Sequence, residues 1–528
     1  MNTGRSFAVL FLLAVLAPLT AQVNYVPESP EVLALKSLYL QAALAFPSAD
    51  FPLSEHSLAA FARRLGERAE DPEVRRQAEA YLQDLGYAKG VTELALINRV
   101  SLEGYARLGT QDPSDWVHEF LERRPLWKLD MSWARLDKAA FFIEPVLRRQ
   151  YFGDLPYWNL PASQHGNPVA LENDQLSKGF VWYNAGPLQM ELGRDQVHFG
   201  PLRSALLPSS RLPYLDLLRF VLPVGNLTMD LMISSLQNRR ATPEDVDTTL
   251  SPEITFRENI IFVNMHRFQY DFGRVRAAVT GLGIFARPNN AFALADFFPV
   301  SSWHATQYRP FNLSLVFDLE AALFPGFRVM AQFGFDDVNA TDLVGVGDAD
   351  IPTIPAAIIG FEYQRPLALG RLELYGELGY THYLWGNFDD ENNAVLARAI
   401  YRLYLDHGTR LMPLTSPYGP GAIWSNLEAA WRWPRGLYAS LFAELLFRNP
   451  NVDLIHTPYL KDPALNALAN KTGSLKLGVE ARWRPWKWLE LYGSPALKLQ
   501  PGGPGLEVVL GGTAVSDWRK NLRGQPAD

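Results

Sequence analysis

The sequence contains no cysteine. That excludes disulfides, a thiolate metal site, a cysteine nucleophile and a lipidated N-terminal cysteine. Positive charge is not in excess: 49 Lys and Arg face 56 Asp and Glu, for a net charge of -7. Binding to a phosphate backbone needs basic patches, so no nucleic-acid partner is expected. After the N-terminus there is no unbroken apolar run of roughly eighteen residues, and no transmembrane helix is predicted. The HExxH, GxSxG and GxxxxGK[ST] patterns are absent and the 9 histidines are scattered, so neither an enzyme activity nor a cofactor is expected. A Ser, a His and an acid brought together from distant positions on one rim would escape such a motif search.

Residues 1–21 read as a secretory signal: Arg5 supplies positive charge, Phe7 to Leu16 an apolar run, and Thr20-Ala21 a small-residue end. Leu19 is large for a position before cleavage. An exported chain without a membrane-spanning helix is periplasmic, secreted or an outer-membrane barrel. Residues 22–90 are expected to form a periplasmic helical segment. Ser29-Pro30-Glu31, Ser54 and Asp71-Pro72 each look like a helix start. Leu58, Phe61 and Leu65 share one face of the second helix, and Val74, Ala78, Tyr81, Leu82 and Leu85 one face of the third, with Gly86 as its stop. Three such helices are too few for a large core of their own, so they should pack on something else or form a small binding module.

From Thr92 onward the period changes to two. Phe311, Leu313, Leu315, Phe317 and Leu319 alternate with Asn312, Ser314, Val316, Asp318 and Glu320. After Phe324-Pro325-Gly326 the alternation resumes with Phe327, Val329, Ala331, Phe333 and Phe335. This is a β-hairpin whose arms are about ten residues, enough for a tilted strand to cross a bilayer. Candidate strands are 92–106, 126–136, 139–151, 176–186, 187–197, 211–222, 225–238, 257–270, 272–285, 311–321, 326–337, 354–364, 370–384, 421–433, 436–448, 473–484, 487–499 and 504–514. Their connections alternate. Tight turns fall at Gly186-Pro187, Pro223-Val224, Phe324-Pro325-Gly326, Pro434-Arg435 and Pro485-Trp486. Long loops fall at about 107–125, 152–175, 198–210, 239–256, 286–310, 338–353, 385–420 and 449–472. A soluble sandwich has no reason to alternate in this way, whereas a bacterial outer-membrane barrel does.

The fold predicted is an all-β transmembrane barrel of about 18 antiparallel strands over 91–515, with a small N-terminal periplasmic α-helical segment and a C-terminal tail at 516–528. Keeping an even strand number assigns 396–406 to an external loop, as a helix. Two features fit less well: the last aromatic, Trp518, is followed by a polar tail, and several outward positions are Gly or Ala. The lumen face mixes signs, with Asp318, Glu320, Arg328, Glu373, Glu428, Arg432, Glu444, Lys476, Glu480, Arg482 and Arg484 among its residues. A selective pore lines its constriction with one sign, whereas mixed signs can form a cross-strand lattice that fills the interior. A largely occluded lumen is therefore expected.

Between 188 and 232 stand Gly193-Arg194, Phe199-Gly200-Pro201, Leu206-Leu207-Pro208-Ser209 and Pro213-Tyr214-Leu215-Asp216. Further echoes are His266-Arg267-Phe268-Gln269-Tyr270, Asp336-Asp337, Glu377 with Tyr380-Thr381, and Gly419-Pro420. In this order the motifs resemble the capsule assembly Wzi family. The resemblance is sparse and covers about 126–433. It implies a barrel of eighteen strands with a periplasmic helical bundle, acting as a non-enzymatic surface lectin that anchors capsular or related polysaccharide. The expected partners are that polysaccharide and outer-membrane lipid, and a monomer is expected. The alternative functions are a porin for small-solute diffusion and an outer-membrane enzyme.

Candidate carbohydrate-binding residues follow from chemistry at the external loops. Arg194 offers a planar fork of donors to an acidic sugar, or pairs with a lumen carboxylate. Trp303, His304 and Tyr308 supply stacking rings with polar neighbours, as do Trp158 and His165, and His407, Arg410 and Tyr418. The same residues would serve equally as membrane-girdle or loop-core residues. Asp336-Asp337, with Asp342, Asp348 and Asp350, offers oxygen ligands to a hard cation, but exposed acidic loops are commoner and no metal site is expected.

Overall fold

In Phe311–Phe324 Leu315, Phe317, Leu319, Leu323 and Phe324 are exposed, while Ser314, Asp318 and Glu320, on the alternate positions, are buried. Water-soluble sheets do the reverse, hiding apolar side chains and exposing charge. The pattern recurs along the wall: Leu441, Leu477, Val479, Leu497 and Leu510 are exposed, and Ser440, Thr513 and Glu103 are buried. It belongs to a membrane barrel, whose apolar side faces outward.

A computed structural model describes residues 24–85, 92–109, 123–135, 138–149, 158–160, 176–236, 260–286, 311–338, 352–388, 396–405, 408–434 and 436–522. The expected signal segment 1–21 lies outside them. Eighteen strands close a single antiparallel barrel in chain order. They are β1 (Thr92–Gly109), β2 (Trp127–Arg135), β3 (Ala139–Leu147), β4 (Leu176–Ala185), β5 (Leu188–Asp195) and β6 (Leu215–Val224). Next come β7 (Leu227–Ser235), β8 (Ile261–Asp271), β9 (Val275–Ala286), β10 (Phe311–Phe324), β11 (Phe327–Asp337) and β12 (Ile354–Leu367). The last are β13 (Gly370–Thr381), β14 (Ala422–Arg432), β15 (Leu437–Arg448), β16 (Thr472–Trp486), β17 (Leu489–Gln500) and β18 (Gly503–Leu522). Closure is made by β18 on β1, from Gly505 opposite Gly109 to Leu522 opposite Thr92. The closed sheet has no edge strand, which a bilayer requires.

The expected strands are all present, and the differences lie at their ends. β18 continues to Leu522, past the expected end at 514, and carries Trp518 opposite Leu96. The turn expected at Pro223-Val224 falls two residues later, at Gly225-Asn226, because Gly225 takes a φ of 63°. That left-handed conformation suits glycine, and Pro223 and Val224 stay paired with Thr228 and Leu227. The expected helix at 396–406 is instead the first half of a hairpin, Ile400–Leu405 with Gly408–Pro413, lying outside the barrel sheet. Alternating Tyr401, Leu403 and Met412 give it strand periodicity, and all three are buried.

Three helices, α1 (Pro30–Gln41), α2 (Glu55–Arg68) and α3 (Pro72–Leu85), share a core that includes Val32, Leu35, Leu58, Leu65, Val74 and Ala78. The Ser54 side chain caps α2 by accepting the Ser57 amide at 3.1 Å, and Asp71 accepts the Glu73 amide at 2.8 Å. The bundle sits on the short-turn rim. Arg64 and Arg68 reach Asp271 at 2.9 and 3.1 Å. The Gly326 amide donates to the Leu40 carbonyl at 2.9 Å, and the Ala45 amide to the Gly273 carbonyl at 2.8 Å.

The linker between α1 and α2 goes further, into the lumen. Asp50-Phe51 pairs antiparallel with His198-Phe199, inside the barrel. His198-Phe199 belongs to the segment expected as external loop 198–210, which folds inward instead. Phe199, Leu206 and Leu207 are fully buried. The Leu206 amide donates to Gln332 at 2.9 Å, and the Ser204 amide to Glu377 at 3.2 Å. Wall charges hold this plug. Arg267 pairs with Asp50 at 2.5 Å and with Asp318. Arg276 donates to the Phe46 carbonyl at 2.6 Å and pairs with Glu320 at 2.7 Å. Arg219 donates to the Pro52 carbonyl at 3.1 Å and pairs with Asp230 at 2.6 Å. Each of these three buried arginines thus has an opposite partner, as burial demands.

Candidate functional site

The long-loop end of the barrel is covered by three described stretches: 382–388, 396–421 excluding 406–407, and 449–471. They are built as a lid. The Trp385 indole donates to Thr415 at 3.1 Å, and Tyr383 donates to the Leu460 carbonyl at 2.5 Å. The Asn387 amide group donates to the Thr457 carbonyl at 2.8 Å, and Arg398 donates to the Ile455 carbonyl at 3.0 Å. Beneath, one hydrophobic core joins the lid through Trp385, Tyr401 and Val452 to the inward loop through Phe199 and Leu206, and to the wall through Leu282 and Ile358. Lid, plug and this part of the wall are therefore one packed body.

Two titratable groups of the lid, His382 and Tyr418, are held neutral. Burial, then the Lys471 charge, pushes His382 down to about 4. Its Nδ1 accepts the Leu384 amide at 3.3 Å, a role open to the uncharged ring. Burial raises the Tyr418 hydroxyl above its ordinary value.

Of the residues singled out in the sequence, Arg194, Trp158 and Tyr418 have described side chains. Arg194 grips Asp216 through Nε at 2.7 Å and Nη2 at 3.2 Å, donates Nη1 to the Leu176 carbonyl at 3.1 Å, and stacks on Tyr214 at 3.9 Å. This is the pairing alternative: it ties β4, β5 and β6 together. Tyr418 lies in the lid, buried, stacked on Trp424 at 4.7 Å and hydrogen-bonded with Asn426 at 3.1 Å. It is a loop-core residue. Trp158 bridges to Gly104, on the outward face of β1 with exposed Leu102 and Leu108. That is a girdle position. Arg410 pairs by its backbone with Leu403 in the lid hairpin, and its side chain lies outside the described residues. His165, Trp303, His304, Tyr308 and His407 also lie outside them.

Asp336 and Asp337, weighed as a cation site, are engaged in holding the lid. Asp336 accepts from Ser314 and from the Gly386 amide at 2.7 Å, and Asp337 accepts from Tyr459 at 2.8 Å. Sequence reasoning missed Tyr383, Trp385 and Tyr459. Their one visible signal was the cluster of aromatics within loops that also hold Asn, Thr and Pro.

No family model matches the sequence, and no curated protein matches it. Among solved structures the chain is similar to Wzi, an outer-membrane protein involved in group 1 capsule assembly in Escherichia coli and a carbohydrate-binding β-barrel. The TM-score is 0.59 at 10% identity, over 93% of this chain and 99% of that one. It is also similar to the Pseudomonas aeruginosa proteins OccD3 (OpdP), at TM-score 0.42 and 12% identity, and OprD, at 0.41 and 11%. These two cover 83% of this chain and are themselves covered to 94% and 98%. At such identities the likeness concerns the fold alone, that of an outer-membrane β-barrel.

Proposed function

We propose that the protein is a non-enzymatic outer-membrane barrel that binds or anchors surface polysaccharide of the capsular type. The supporting observation is the single packed body of lid, plug and wall, in a barrel that matches Wzi over nearly its whole length. A pore for free diffusion needs an open lumen, and here the inward loop and the α1–α2 linker occupy it. On this reading the short-turn end and its helices face the periplasm, and the lid faces outward. Outer-membrane lipid surrounds the wall. The polymer would meet the loop face, where Trp303, His304, Tyr308, His165, His407 and Arg410 offer rings and donors. Arg194 and Tyr418 serve beneath as framework, and Trp158 faces lipid.

Deletion of the gene in a polymer-producing host tests this. Polymer synthesis should continue while polymer appears in the medium instead of on the cell, and the intact gene should restore retention. Unchanged surface retention in the deletion strain would overturn the proposal.

A further inference from the structure

The plug does not fill the barrel evenly. Lumen charges on β6, β8 and β9 are dry: the side chains of Arg219, Arg267 and Arg276 are 3%, 0% and 2% accessible. On β14 and β16 the lumen arginines near the short-turn end are wet: Arg432, Arg482 and Arg484 are 38%, 50% and 54% accessible. Arg203, reaching from the inward loop toward this wall, pairs with Glu428 and stacks on Tyr375 at 4.0 Å, yet its side chain is also 54% accessible. The helices account for the asymmetry. Their contacts run round the short-turn rim through Gln189, Asn226, Asp271, Gly326 and Arg371. Among the described residues the arc of β14 to β17 carries none of these contacts, and there the lumen opens at the short-turn end.

The wet wall carries an ordered row. Register places Arg371 opposite Arg432, Arg432 opposite Tyr438, Tyr438 opposite Arg482, and Arg482 opposite Tyr492. The Tyr438 ring lies between two guanidinium groups, Arg432 at 4.6 Å and Arg482 at 5.6 Å, and Arg124 covers Tyr492 at 3.7 Å. Stacking fixes each guanidinium by its face and leaves its donor edges free to point elsewhere. Arg482 gives Nε to Glu480, Arg432 gives Nε to Glu373, and Arg484 gives Nη2 to Glu490. An arginine has five donors, so these pairings leave others for a ligand.

We propose that this row is a binding wall for a strand of acidic polysaccharide entering the lumen from the short-turn end. The inference rests on the polysaccharide reading above and adds a second, internal contact with the polymer. Carboxylate is the group that a guanidinium fork matches in two-point geometry. Arg432 and Arg482 stand two strands apart, about 10 Å at the usual strand spacing. That is close to the length of a disaccharide unit, so a glycan with one carboxylate per disaccharide would meet successive arginines. An extended acidic peptide repeats on one face at about 7 Å and falls out of step. The neighbouring glutamates keep the local charge near balance, so each contact is weak and the polymer can slide.

The absence of cysteine makes the test clean. Ser494→Cys, on the lumen face of β17 between Tyr492 and Ala496, is compared with Ser234→Cys on the plugged wall, where the serine is buried. Both full-length variants are treated with a membrane-impermeant maleimide. Ser494→Cys should react and Ser234→Cys should not; equal protection of the two would mean a dry wall and overturn the proposal. Oligosaccharides of alternating glucuronate and N-acetylglucosamine should slow the Ser494→Cys reaction several-fold, and neutral dextran of equal length should not. That protection should be lost with Arg482→Gln, or with Arg432→Gln should the first variant not assemble. Failure of the acidic oligosaccharide to protect, equal protection by polyglutamate, or protection that survives the arginine change would each overturn the assignment. Surface retention is measured separately in the deletion strain. A dry or indifferent wall with normal release of polymer on deletion sinks only this inference, and a protected wall with unchanged retention sinks only the anchoring reading.

Discussion

Arg267 is wholly enclosed in the barrel, and a guanidinium cannot shed its proton there, so its stability rests on Asp50 and Asp318. Removing the cation leaves two carboxylates facing each other without water. Arg267→Met is expected to lower stability by about 3–5 kcal/mol, measured by denaturant unfolding in detergent. Adding Asp50→Asn and Asp318→Asn should recover much of the loss; a single variant as stable as the parent would show that the clamp is not holding the plug. His198 gives a pH-dependent counterpart. Burial pushes it down to about 4 from an ordinary 6.5, while its Nε2 bonds the Leu202 carbonyl at 2.9 Å. The folded plug therefore binds fewer protons than the unfolded one between these values. Its stabilisation is complete above about 6.5 and is lost as pH falls toward 4. Protease protection of the inward loop should decline across that window, and His198→Gln should flatten the decline. At this scale little was legible beforehand. Arg194 could be read as a sugar ligand or a framework residue because its partner, Asp216, is fixed only once β5 and β6 are in register.

Elements were far more legible. Period-two alternation with apolar residues on one side is a local signal, and it located every barrel strand. Turn chemistry was less certain, since Gly225 rather than the nearby proline sets the β6–β7 turn. The lid hairpin was misread because strand-count parity speaks only about the barrel, and a loop is free to hold strands of its own. The inward course of residues 196–214 was not visible either: its Gly, Pro and Ser content reads as exposed loop. One residue there shows what the inward fold requires. Gly200 has a φ of 124°, and a Cβ at that position would lie 2.2 Å from the Gln332 side-chain nitrogen. Gly200→Ala is expected to cost about 1–3 kcal/mol and to loosen the loop from the wall. Thermal unfolding checks this, and a variant with unchanged midpoint would show that the loop is not seated against Gln332.

At the scale of the whole molecule, the barrel is asymmetric. One side of its wall, β6 to β12, is dried by the plug and tied to the lid through a continuous core. The arc from β14 to β17 keeps its arginines wet where the described helices leave the rim clear. The mixed lumen charge foreshadowed occlusion, and much of that charge does form cross-strand pairs, such as Arg276 with Glu320 and Arg432 with Glu373. What fills the rest, an N-terminal linker and a loop from the wall itself, depends on contacts between residues far apart in sequence. The central claim is that lid and plug close the lumen of a barrel built to hold polymer, not to pass solutes. Single-channel recording of the purified full-length protein in a planar bilayer tests it most directly. The expected trace shows no steady open level; a large, stable conductance in the unmodified protein would contradict the account.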